Sequence, residues 1–68
     1  MINIFNVVEE VYTKCASLLK QDKISDYRII LNYNNLVDVY IILGSVSQDK
    51  IIDVFSSYND VNLICFNA

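Results

Sequence analysis

Residues 3–21 place apolar and polar side chains with the period of an α-helix. At 100° per residue, Ile4, Phe5, Val7, Val8, Val11, Tyr12, Cys15, Ala16, Leu18 and Leu19 fill one half of the helical wheel. Asn3, Asn6, Glu9, Glu10, Thr13, Lys14, Ser17 and Lys20 fill the other. Asn3 has the side chain of an N-cap, and the glutamates precede the lysines, as the helix dipole favours. An apolar arc of roughly 180° is wider than a surface helix needs, so this helix is expected to sit deep against a sheet.

The period then changes to two. Tyr27–Asn32 and Leu36–Leu43 read as strands around Asn34-Asn35, and the loop length decides their register. A two-residue turn opposes Leu31 to Asp38 and mixes polar with apolar residues on both faces. A three-residue loop, Tyr33-Asn34-Asn35, pairs Asn32 with Leu36 instead. Tyr27, Ile29, Leu31, Val37, Val39 and Ile41 then share one wholly apolar face. It also puts Asn35 at the left-handed position such loops require, which Asn tolerates. The opposite face carries Arg28, Ile30, Asn32, Leu36, Asp38, Tyr40 and Ile42, an amphipathic set in which Arg28 and Asp38 are diagonal neighbours able to pair.

Gly44 ends the second strand, and a short helix follows. Ser45 with Gln48 reads as a capping box. Ser47 is the better cap, because Val46 and Ile51 then form a hydrophobic staple and Asp49 falls in the first turn. Ile51, Ile52, Val54, Phe55 and Tyr58 form its apolar side. After a turn at Asn59-Asp60, Val61–Phe66 is a final strand, apolar on both faces, whose buried face the pattern does not choose. The order is α-β-β-α-β. This predicts one α+β domain over residues 1–68: a small three-stranded sheet with two helices mainly on one face. If the second helix carries the chain from strand two to strand three as a crossover, strand three runs antiparallel to strand one and is placed beside it.

Composition changes the picture by what it lacks. Ten isoleucines and eight valines stand beside no histidine, no tryptophan, no proline and one glycine. A chain this short buries only about 60% of its unfolded surface, so some of its 54% apolar residues should meet water or a second chain. The net charge of −3 lies entirely in residues 34–68, where Asp38, Asp49, Asp53 and Asp60 face Lys50 alone. Without a basic patch, direct nucleic-acid binding has little electrostatic support. Val39–Leu43 is the longest apolar run, far short of a membrane span. The N-terminus lacks a basic flank and a continuous apolar stretch, so a cytoplasmic protein with no membrane contact is expected. Cys15 and Cys65 read as two reduced thiols. Ile, Asn, Lys and Tyr supply 27 of 68 residues, all with AT-rich codons, which suggests an AT-rich source genome.

The search for chemistry returns little. No histidine exists to activate a cysteine nucleophile, and Gly44 lacks the companions of a phosphate-cradling loop. Asp49 and Asp53 stand at i,i+4 but read as a solvated helix face, and two cysteines do not complete a zinc site. We therefore expect no enzyme activity, no cofactor and no metal. Of the five tyrosines, Tyr12, Tyr27 and Tyr58 fall on core arcs, Tyr33 in the loop and Tyr40 on the open sheet face.

These observations predict function by surface contact. The expected site is Arg28, Ile30, Leu36, Asp38, Tyr40 and Ile42, with Tyr40 and Ile42 as anchors and the two charges setting orientation. The expected partner is a larger protein with a basic surface. Size, acidity and AT-rich coding also suit a phage or mobile-element inhibitor of a host defence or nucleic-acid-processing protein, such as an anti-CRISPR. Two alternatives are an obligate homo-oligomer, most simply a dimer, using the open face or an edge strand, and a nucleic-acid-binding accessory protein.

Overall fold

The computed structural model describes residues 4–32 and 34–67. Asn3, expected as an N-cap, and Tyr33, expected in the hairpin loop, lie outside the described residues. Helix α1 spans Ile4–Lys20, strand β1 Ile24–Leu31, strand β2 Val37–Leu43, helix α2 Gln48–Phe55 and strand β3 Val61–Phe66. The α-β-β-α-β order and the α+β class are those the sequence predicts.

The hairpin adopts the three-residue register. Leu31 opposes Val37, Ile30 opposes Asp38, Ile29 opposes Val39, Arg28 opposes Tyr40 and Tyr27 opposes Ile41. Asn32 N–H donates to Leu36 O at 2.9 Å, and Asn35 has φ 57°. A bulge at Ser25 shifts the register between Ile24 and Asp26 and returns Ile24 to the core.

Strand β3 corrects one expectation. It pairs with β2, parallel, and not beside β1, so the sheet order is β1-β2-β3. The reason lies in β2, where Val37, Val39 and Ile41 are wholly buried. Their strand belongs in the centre of the sheet, flanked on both edges, and placing β3 beside β1 would leave it exposed.

The core is one cluster. Val7, Val11, Cys15 and Leu18 of α1 meet Ile24, Val37, Val39 and Ile41 of the sheet and Ile51 and Phe55 of α2. Both helices therefore cover the same sheet face, with α1 against β1 and α2 against β3. Each helix sits over an edge strand, and this narrows what it can bury. On α1 the buried stripe is roughly 80° wide. Phe5, Tyr12 and Leu19, expected in the buried half, remain 68%, 48% and 37% exposed. Likewise Ile52 on α2 is exposed although the pattern placed it inward. The outer flank of a helix that overhangs a sheet edge has no strand beneath it.

Two local devices join the elements. Asp22, at φ 59°, closes α1 with a Schellman motif: Lys23 N–H reaches Leu18 O at 2.9 Å and Asp22 N–H reaches Leu19 O at 3.0 Å. Gly44 lies flat against that turn. Its N–H donates to Lys23 O at 3.1 Å, and Ser45 N–H donates to Asp22 O at 3.2 Å. Ser47 is the N-cap of α2 by backbone geometry, but its side chain makes no capping hydrogen bond. Val46 and Ile51 both pack into the core, as a staple requires.

Candidate protein-binding face

The sheet face away from the helices is built by parity. Arg28 and Ile30 come from β1, Asp38, Tyr40 and Ile42 from β2, and the parallel register adds Asn62 beside Asp38, Ile64 beside Tyr40 and Phe66 beside Ile42. This gives β3 the assignment its pattern lacked: Val61, Leu63 and Cys65 pack on the core, while Ile64 and Phe66 join the open face.

The face has a polar end and an aromatic end. At the hairpin end, Asn32 Nδ2 donates to Asp38 Oδ1 at 3.2 Å and Asn62 Nδ2 donates to the same oxygen at 3.3 Å. Asn32 Oδ1 also accepts from the N–H groups of Asn34, at 2.9 Å, and Leu36, at 3.2 Å. Asp38 thus takes its hydrogen bonds from two amides and not from Arg28, the partner its diagonal position suggested. Asn62 lies directly opposite Asp38 on β3, and Asn32 is the diagonal neighbour on the hairpin side, as Arg28 is on the other.

At the other end, the rings of Tyr40 and Phe66 stack with centroids 6.4 Å apart and planes 10° apart. With Ile42, Tyr27, Asp26 and Arg28 they line a depression of about 460 Å³. Phe66 is 49% exposed and Ile30 43%. Of the residues expected on the site, Tyr40, Ile42 and Arg28 meet at this depression. Ile30 lies on the same face but toward the hairpin, with Asp38, and the half-buried Leu36 stands just before β2, where its carbonyl accepts from Asn32 N–H. Asn62 and Phe66 join the candidate face from β3. A domain this small is expected to leave Ile64 and Phe66 exposed with Tyr40 and Ile42, but Asn62 and the neighbour that each β3 residue faces follow only from the β2–β3 register.

The helical side differs. A wide, shallow concavity of about 1000 Å³ runs along the polar arc of α1, lined by Asn6, Glu9, Glu10, Thr13, Lys14 and others, with Lys14 Nζ 5.9 Å from the centre of the Tyr58 ring. Burial and then the Glu10 carboxylate raise the Tyr58 phenol above its ordinary value. Tyr12, expected in the core, instead lies half-exposed and meets Tyr27 edge-on, with centroids 6.1 Å apart. Burial pushes the Cys15 thiol up to about 11, and it raises Cys65 as well, so neither is primed as a thiolate. Among the described residues, no three His, Cys, Asp or Glu side chains converge on a common point, and no helix is long and apolar enough to cross a membrane.

No family model, no curated protein and no solved structure matches this chain.

Proposed function

We propose that this chain is a small protein-binding module that acts by occupying a surface of a larger partner. The observation that carries the reading is the Tyr40–Phe66 stack. Two aromatic rings and Ile42 sit uncovered by either helix on the outer face of the sheet, with Arg28 and Asp26 at their rim. Aromatic and aliphatic anchors in shallow pockets supply most interface energy, and rim charges mainly steer. The acidic second half of the chain favours a partner with basic character, which suits a nucleic-acid-processing protein blocked by the module. An aromatic sheet face also suits base stacking, but Arg28 is the one cation among its described residues, which favours protein over nucleic acid.

The test is a pull-down with the intact protein, followed by titration of the captured partner. Wild type and Asp49→Ala, on the far helix, should bind alike. Tyr40→Ala should cost about 2 kcal/mol, roughly 30-fold in Kd, with an unchanged circular dichroism spectrum. Binding that ignores Tyr40 and Phe66 and tracks Lys14 and Lys20 would place the site on the helical side instead.

A further inference from the structure

The two edges of the sheet are not equivalent, and the difference concerns main-chain hydrogen bonds. Along a strand, the N–H and C=O of alternate residues point to opposite neighbours. Asn32 N–H bonds Leu36 O, which directs the even-numbered residues of β1 toward β2 and leaves Tyr27, Ile29 and Leu31 pointing outward. This edge is blunted. The Tyr27 N–H is taken by Asp26 Oδ1 at 2.8 Å, the Ser25 bulge breaks the strand line, and Asp26 and Arg28 place charges along it. Bulges and charges are how natural sheets keep an edge from pairing.

Strand β3 has none of these protections. Val37 N–H bonds Asp60 O at 2.8 Å, so Asn62, Ile64 and Phe66 direct their main-chain groups to β2. Val61, Leu63 and Cys65 point theirs outward, where no described strand lies. The strand carries no charge, no proline, no glycine and no bulge. Its complement is another uncharged strand, and a second β3 supplies one.

We propose that two copies of this chain pair through β3, antiparallel about a two-fold axis at Leu63, to form one continuous six-stranded sheet. This register uses every outward group of the strand. Leu63 faces Leu63 of the second copy, and Val61 faces its Cys65, each as a hydrogen-bonded pair. The register also keeps odd residues opposite odd ones, so both copies bury their helices on one side and present their open faces on the other. A two-fold interface brings each surface against itself. In a protein of net charge −3, the strand without a charged residue is the one that can meet its copy without like-charge repulsion. The pairing is independent of the binding-module reading: it uses the edge, and it leaves Tyr40 and Phe66 available on the joined face.

Sedimentation of the intact protein across micromolar concentrations tests this. Wild type should be a dimer. Asn62→Lys with Ile64→Lys sets the lysine at 62 against the lysine at 64 of the second copy, and the reverse, and should weaken dimerisation on the order of 100-fold while keeping the circular dichroism of the fold. Leu63→Cys in a Cys65→Ser background should oxidise to a covalent dimer, because a hydrogen-bonded pair holds its Cα atoms about 5.5 Å apart. Native Cys65, opposite Val61, should form no such link. Tyr40→Ala should remain dimeric whatever it does to partner binding. A monomeric wild type, a dimer that survives both lysines, Leu63→Cys that fails to crosslink, or a dimer dissolved by Tyr40→Ala would each overturn the proposal.

Discussion

Asn35 and Asp22 are the two described non-glycine residues with positive φ, and each closes a connection. The left-handed region costs an L-residue about 1–2 kcal/mol, less for Asn and Asp, whose short side chains bond locally. Asn35→Gly should therefore be neutral or stabilising, and Asn35→Val should destabilise by about 1 kcal/mol or more in urea unfolding. At Asp22, the C′ position of α1, glycine is the preferred residue, so Asp22→Gly should raise the midpoint by a gain of about 1 kcal/mol or less. Cys15 adds a pH dependence. Its folded thiol holds its proton to about 11, whereas in the unfolded chain it ionises near 9.0. The unfolded state then binds fewer protons between these values. The contribution is complete below pH 9 and is lost as pH rises toward 11. Urea unfolding at stepped pH should show this fall, and Cys15→Ala should flatten it while lowering stability at neutral pH. An unchanged slope would assign the fall to other groups.

Elements depend on one another here through close backbone contacts. A Cβ at Gly44 would stand 2.8 Å from Asp22 O and 2.9 Å from both the carbonyl carbon and oxygen of Lys23. These are main-chain atoms of the turn that ends α1, so no side chain can swing aside. Gly44→Ala should destabilise by about 1–3 kcal/mol, read as a lower melting temperature, and it should loosen the α1–β1 turn as well as the β2 end. Hydrogen exchange at Lys23 and Ser45 distinguishes this from a general loss of stability. The helices show the same dependence. The sequence pattern predicts a half-cylinder of apolar residues on α1, but only Val7, Val11, Cys15 and Leu18 are buried, because the helix rides over an edge strand.

For the whole molecule, one sheet separates a helical side from an open side. Burial beneath the helices supplies the stability, and the proposed binding uses the other face. The charge balance makes a prediction at this scale. If the partner is basic, its association should slow and weaken as salt rises, and Asp38→Asn should reduce the on-rate more than the lifetime of the complex. Surface plasmon resonance at two ionic strengths checks both. A partner insensitive to salt would mean that the aromatic end acts alone and that the acidic half has no steering role.

Much of this was legible in the chain because it is local. The 3.6-residue period of α1, the two-residue period of the hairpin and an asparagine able to turn left-handed are properties of neighbouring residues. They fix element type, hairpin register and the residues Arg28, Ile30, Asp38, Tyr40 and Ile42 that share the open face. The position of β3 was not local. It depends on which side of β2 the chain returns to after α2, and a strand apolar on both faces carries no parity signal of its own. Tertiary structure alone decided that Phe66 stacks on Tyr40, that Asn62 and Asn32 replace Arg28 as partners of Asp38, and that the outer flank of α1 stays exposed. Each follows from the placement of one element over another, which periodicity within an element does not encode.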